Sequence, residues 1–316
     1  MKAAIVRAAG QTPVYGDFAE PTPAPGESRI SVSAAALCPL TRSRAAGAHY
    51  SVSGAFPAVV GVDGVGRLDD GRRVYFLLPR APWGAMAERT VAPAAQIAPV
   101  PDGLDDVTAA AIANPGMSSW AAFRERAKLA AGETVLVNGA TGAAGRLAVQ
   151  IARRLGAKRV IATGRNVDAL VSLGADATIA LDSDEAALEE SFSRFFAEGI
   201  DVVTDYLWGK SAERLLVAAA KAMPDGASLR FVQIGSVSGP AIALRGAVLR
   251  SKPIALMGSG LGSVPLARLA AGIGELMQWA ASGELSIPAK AAPLSQVERV
   301  WGEASDARIV FTIGAR

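Results

Sequence analysis

Two hydrophobic rhythms divide the chain. From residue 134 onward, apolar runs rich in β-branched side chains recur as TVLVN (134–138), RVIAT (159–163), ATIAL (177–181), DVVTD (201–205), LRFVQI (229–234) and PIALM (253–257). Their starts lie 18 to 28 residues apart, with room for a helix between each pair. Buried strands alternating with helices predict an α/β arrangement: a doubly wound parallel sheet with right-handed crossovers. Before residue 114 the rhythm is different. MKAAIV reads as a first strand, and the runs 28–37, 58–68, 73–78 and 89–92 are short and separated by Pro and Gly, which predicts an irregular all-β unit. PTPAPGE (21–27) is a loop, and a helix is expected over 105–113 with Asp102 or Asp105 as its N-cap. After residue 265 one helix (266–282) carries Leu269, Ile273, Leu276 and Trp279 on one side, and the final run ARIVFTI reads as a strand. The simplest organisation is a β-rich domain built from both ends, 1–114 and 260–316, with a nucleotide-binding domain inserted over 115–259.

Composition narrows the chemistry. The 316 residues are 51% apolar and 19% charged, as expected for a globular enzyme of about two domains. Lys and Arg outnumber Asp and Glu by only 32 to 29 and form no basic run, so no nucleic-acid partner is expected. No apolar stretch approaches the roughly 20 residues that span a bilayer, and the start lacks a signal-peptide pattern, so no membrane partner is expected either. The single cysteine cannot close a disulfide within the chain and suits a cytoplasmic location. With Cys38 and His49 as the only cysteine and histidine, no metal site of three His/Cys ligands can be assembled. No G-x-S-x-G elbow supports a serine triad.

The strongest chemical signal is TVLVNGATGAAGRLAVQIARRLG. A strand ending at Asn138 runs through Gly139, Ala140, Thr141, Gly142, Ala143, Ala144 and Gly145 into a helix whose Leu147, Ile151 and Leu155 share a face. Gly139 allows a sharp turn, Gly142 lets a phosphate meet bare backbone, and Gly145 lets helix and strand approach closely. The spacing is G-x-x-G-x-x-G rather than G-x-G-x-x-G. At the end of the second strand, where an NAD site places a carboxylate, the chain reads Thr163, Gly164, Arg165 and Asn166. Arg165 offers a charged fork for a 2′-phosphate, which favours NADPH; the alternative is a solvated loop residue.

Taken in order, these segments together with AAALCPLTRSRAAGAHY, VVGVDGVGRL, NPGMSSWAAF, VIATGRN, VVTDYLWG and FVQIGS resemble a zinc-independent medium-chain dehydrogenase/reductase of the quinone oxidoreductase branch. The resemblance implies a Rossmann domain inserted in a GroES-like one, NADPH as cofactor and, usually, a homodimer. Zinc-binding relatives carry a cysteine near Cys38 and a Gly-His-Glu triplet where this chain reads Gly61, Val62 and Asp63. Val62 cannot bind metal, and Asp63 is expected to stabilise a loop. Cys38 is either a small buried side chain or, with Thr41 and Tyr50, part of the substrate cleft, where His49 also lies nearby. The family pattern places Ser118, then Ile234, Gly235 and Ser236, then Met257, Gly258 and Ser259 beside the cofactor; Asp205 and Tyr206 touch it or cap a helix. The implied reaction is hydride transfer to a quinone, with an enal or enone as alternative acceptor and a binding module of little turnover as a second alternative.

Overall fold

In a computed structural model of the protein, residues 1–48 and 56–314 are described. The chain opens with β1 (Lys2–Val6), β2 (Val14–Asp17), β3 (Glu27–Ala36), α1 (Pro39–Ala45), β4 (Ala58–Val59), β5 (Asp63–Leu68), β6 (Arg73–Leu77), β7 (Arg89–Pro93) and β8 (Ile97–Pro99). Helix α2 (Asp106–Trp120) follows, continuing as a π-helical stretch over Ala121–Ala127. Then come β9 (Thr134–Asn138), α3 (Ala143–Arg154), β10 (Arg159–Gly164), α4 (Val167–Val171), β11 (Ala177–Ala180), α5 (Glu185–Glu198), β12 (Val202–Asp205), α6 (Gly209–Ala222), β13 (Leu229–Gln233), α7 (Gly246–Ser251) and β14 (Ile254–Gly258). Helix α8 (Leu266–Ala281), β15 (Ala289–Pro293), α9 (Val297–Val300) and β16 (Arg308–Thr312) close the chain.

These elements form two compact units, Met1–Asn114 with Leu266–Arg316, and Pro115–Pro265. The first unit holds a three-stranded sheet, β2-β1-β4, and a seven-stranded sheet, β15-β16-β3-β5-β6-β8 with β7 also on β3. An irregularity between Val32 and Ala34 interrupts β3, which pairs with β7 over its first half and with β16 over its second. Such a break in the ladder re-aims a strand, so β3 serves both β7 and β16 in addition to β5. Its core gathers residues from both chain ends, including Ile30, Phe76 and Met86 with Val297, Val300 and Phe311.

The second unit is a six-stranded parallel sheet in the order β11-β10-β9-β12-β13-β14. Phe192, Phe196, Leu215, Leu216 and Phe231 are buried in its core beside Leu136 and Ile161. Because β10 and β12 flank β9 on opposite sides, the order reverses between β9 and β12, which makes their carboxyl ends the switch point where such sheets bind ligands. The six apolar runs coincide with β9 to β14 to within a residue or two.

Two boundaries differ from the sequence reading. Residues 260–265 go with the second unit, so the division falls after Pro265 rather than after 259. The helix expected over 105–113 runs through Pro115 to Trp120. Proline removes one ladder hydrogen bond, yet Ala109 to Ala113 and Trp120 are buried, and packing outweighs that loss. Asp105 is its N-cap, with Oδ1 accepting from the Thr108 amide at 2.9 Å.

Candidate functional site

Strand β9 ends in a turn that only glycine can make. Gly139 has φ +88°, and a Cβ there would lie 2.8 Å from the Leu207 side chain. A Cβ on Gly145 would fall 2.3 Å from the Gly139 carbonyl oxygen and 2.5 Å from Ala140 Cα, so α3 rests directly on the turn. Gly142 is the opposite case: its nearest neighbour would be 4.0 Å away, and its surface is open. It occupies the N-cap of α3, where no side chain caps the helix. The amides of Ala143, Ala144 and Gly145 therefore have no intrahelical acceptor, and with the positive end of the helix dipole they form an anion cradle. An open glycine face beside unengaged amides fits the pyrophosphate of a dinucleotide. Arg146 braces the turn, its Nε donating to the Thr141 carbonyl at 2.9 Å. The sequence reading missed this arginine, although it directly follows the last glycine.

Beneath the cradle lies a row of polar side chains with no solvent exposure. In the sheet register Asn138 is opposite both Thr163 and Asp205. Thr163 Oγ1 donates to Asn138 Oδ1 at 2.6 Å, and Asn138 Nδ2 donates to Asp205 Oδ1 at 2.8 Å. Ser211 Oγ donates a second bond to Asn138 Oδ1 at 3.0 Å. At one end the Gly139 amide donates to Thr163 Oγ1 at 3.2 Å. At the other the Leu207 and Trp208 amides donate to Asp205 Oδ1 at 3.0 and 3.1 Å. Burial raises the Asp205 carboxyl above the usual range, against the pull of the Trp208, Leu207 and Asn138 donors.

The residues expected to touch cofactor divide into those with open surfaces and those engaged by the protein. Arg165 is exposed just beyond Gly164. The Thr163 side chain is locked in the buried row, and Asn166, exposed, caps α4 with its Oδ1 accepting from the Ala169 amide at 3.0 Å. Ser118 Oγ donates to the Pro115 carbonyl at 2.8 Å, while its neighbour Ser119 is the buried hydroxyl. Ser119 Oγ lies 2.7 Å from the Tyr206 hydroxyl and donates to the Ala144 carbonyl at 3.0 Å, tying α2 and the end of β12 to the first turn of α3. Burial pushes Tyr206 further up, so it stays protonated. Ile234 and Gly235 donate their amides to the Asp205 carbonyl, at 2.8 and 3.1 Å, and Ser236 is exposed. After β14, the Gly258 carbonyl accepts from Arg126 Nε at 2.8 Å and the Ser259 amide donates to the Gln233 carbonyl at 2.8 Å, with Met257 half-buried beside them.

The first unit carries a separate buried cluster. Cys38, which the sequence offers as either a small buried side chain or a residue of the substrate cleft, is buried and caps α1: its Sγ accepts from the Thr41 amide at 3.3 Å and lies 3.2 Å from Thr41 Oγ1. Burial pushes the thiol up, so it stays protonated. Asp63 is a buried side chain within β5, not a loop residue. It accepts from the Tyr75 hydroxyl at 3.0 Å through Oδ2, and its Oδ1 has no partner. Burial pushes its carboxyl up to about 6, although Arg308 and Tyr75 pull it down. Thr41 also lines a cavity of about 80 Å³ with Phe56, Val62, Leu78 and Trp83. His49 and Tyr50 lie outside the described residues. Among the described residues no three His, Cys, Asp or Glu side chains converge so as to hold a metal ion.

No family model matches the chain. It is 29% identical over 333 aligned positions to a probable NADPH-dependent quinone reductase of Emericella nidulans, covering 92% of each protein. A trans-enoyl reductase of Aspergillus terreus is 30% identical over 130 residues, which span 40% of this chain and 36% of that enzyme. Among solved structures, the quinone oxidoreductase of Thermus thermophilus, reported with its NADPH complex, is 27% identical with a TM-score of 0.78, covering 99% of this chain and 100% of the other. A full-length likeness joined to this two-unit fold and its glycine turn leads to one placement: the chain is an oxidoreductase similar to the quinone oxidoreductases of the medium-chain dehydrogenase/reductase family.

Proposed function

We propose that the protein is an NADPH-dependent reductase that delivers hydride to a quinone without zinc. The observation that carries the reading is the open, uncapped glycine turn at the switch point of the parallel sheet. When bound, NADPH supplies a hydride from its nicotinamide ring. The chain's part is to hold that cofactor: the amides of Ala143, Ala144 and Gly145 for the pyrophosphate, and Arg165 for the 2′-phosphate. An electron-poor acceptor needs no Lewis acid when hydroxyls or backbone amides stabilise its developing oxyanion. The likeness to a quinone reductase supports a quinone as acceptor. The likeness to a trans-enoyl reductase favours a second reading, reduction of an enal or enone.

Steady-state assays of NADPH oxidation with 1,4-quinones and with 2-alkenals separate the two acceptors, and no turnover with either defeats both. Fluorescence titration tests the phosphate contact. Arg165→Ala is expected to lose on the order of 1.5–3 kcal/mol of NADPH affinity while NADH affinity holds, as fits loss of a charge-assisted bond. Equal affinities for native and variant would end that role for Arg165.

The same reading includes a cytoplasmic homodimer. No helix among the described residues is long and apolar enough to cross a membrane. Strand β14 is the edge of the parallel sheet and exposes Leu256, an edge suited to pairing with a second copy. Light scattering should give twice the 32.3 kDa chain mass.

A further inference from the structure

We infer that Thr163, Asn138 and Asp205 act as one positioning unit, a buried polar row that sets the dinucleotide turn from below; this rests on the NADPH reading. The centre of a parallel sheet is ordinarily apolar, because an unmatched polar group there costs more than its hydrogen bond returns. Here three adjacent strands place polar side chains side by side in one register row, all without solvent exposure. Each end of the row finishes on backbone that shapes the cradle.

At the β10 end, Thr163 Oγ1 takes the amide of Gly139, the first residue of the turn. At the β12 end, Asp205 takes the amides of Leu207 and Trp208. Leu207 forms the opposing wall, its side chain filling the space where a Gly139 Cβ would stand. Trp208 adopts φ +58° and ψ −155°, a conformation a bulky residue holds only when its surroundings impose it. Asn138 joins the ends with its amide oriented by chemistry, Nδ2 toward the carboxylate and Oδ1 toward the two hydroxyls. Donors and acceptors are complementary along the whole row, so one altered polarity propagates to both turns.

Fluorescence titration of NADPH, with far-UV circular dichroism to establish folding and amide exchange at Gly139 in the cofactor-free protein, tests the assignment. Thr163→Val keeps the side-chain shape and removes the hydroxyl. It should weaken NADPH binding about tenfold, the loss expected for one buried hydrogen bond, and speed Gly139 exchange. In steady state the effect should fall on the KM for NADPH rather than on kcat. Thr163→Ser, which restores the hydroxyl, should recover native binding. Asn138→Asp sets two buried carboxyls side by side and should weaken binding further. Combining it with Asp205→Asn restores complementarity and should bring affinity back. Should the single aspartate fail to fold, Thr163→Val decides. A folded Thr163→Val with native affinity and native Gly139 exchange overturns the inference alone. A native protein with no affinity for NADPH overturns the functional reading and this inference with it.

Discussion

Asp63 sits fully inside β5, with one oxygen on the Tyr75 hydroxyl and the other without a partner. Its ionised form is disfavoured by burial up to about pH 6, whereas an unfolded-chain carboxyl titrates near 3.8. Between those values the folded protein holds a proton that the unfolded chain has released. Stability from this group is therefore present at about pH 4 and falls as pH rises toward 6, by up to about 3 kcal/mol. Asp63→Asn removes the titration while leaving an acceptor for Tyr75. The expected outcome is that native and variant melting temperatures diverge between pH 4 and 6, the native falling relative to the variant; a constant gap would contradict it. None of this is legible from the sequence, where G-x-D-x-x-G reads as a turn. Burial becomes visible only when β5 is paired with β6, which brings Tyr75 to the carboxyl.

Among the elements, α3 and its approach were the most legible, because each glycine has a separate mechanical duty and the helix stripe follows directly. Gly145→Ala tests the tightest contact. A methyl group 2.3 Å from the Gly139 oxygen cannot fit without moving α3, so the variant should lose about 1–3 kcal/mol in thermal or urea unfolding and most of its NADPH affinity in titration. Unchanged affinity would mean that the helix start is not the cradle. The six parallel strands were legible for the same kind of reason, since a strand buried on both faces shows itself as an apolar run. The polar row was not. Asn138 and Asp205 lie 67 residues apart and look like ordinary strand-end residues until register sets them side by side. The end of α2 was hidden too, because Pro115 signals a stop that its buried neighbours override.

For the whole molecule, the order of the segments matters. The first unit takes β16 and the core residues Val297, Val300 and Phe311 from the last part of the chain, whereas the second unit is continuous from Pro115 to Pro265. A chain truncated after Pro265 should therefore lose the first unit's packing while the continuous parallel-sheet unit persists. Limited proteolysis followed by mass spectrometry should recover a resistant fragment close to 115–265, and uniform digestion would count against independent packing. The same separation holds on a finer scale. Arg165 stands exposed, while the row that shapes the turn is sealed from solvent. On the proposed reading, exchange of that one arginine should retune the choice between NADPH and NADH, which differ only in the adenosine 2′-phosphate, without disturbing the frame. For evolution or for an engineer, that reading makes cofactor preference a surface variable and dinucleotide binding a property set by the interior.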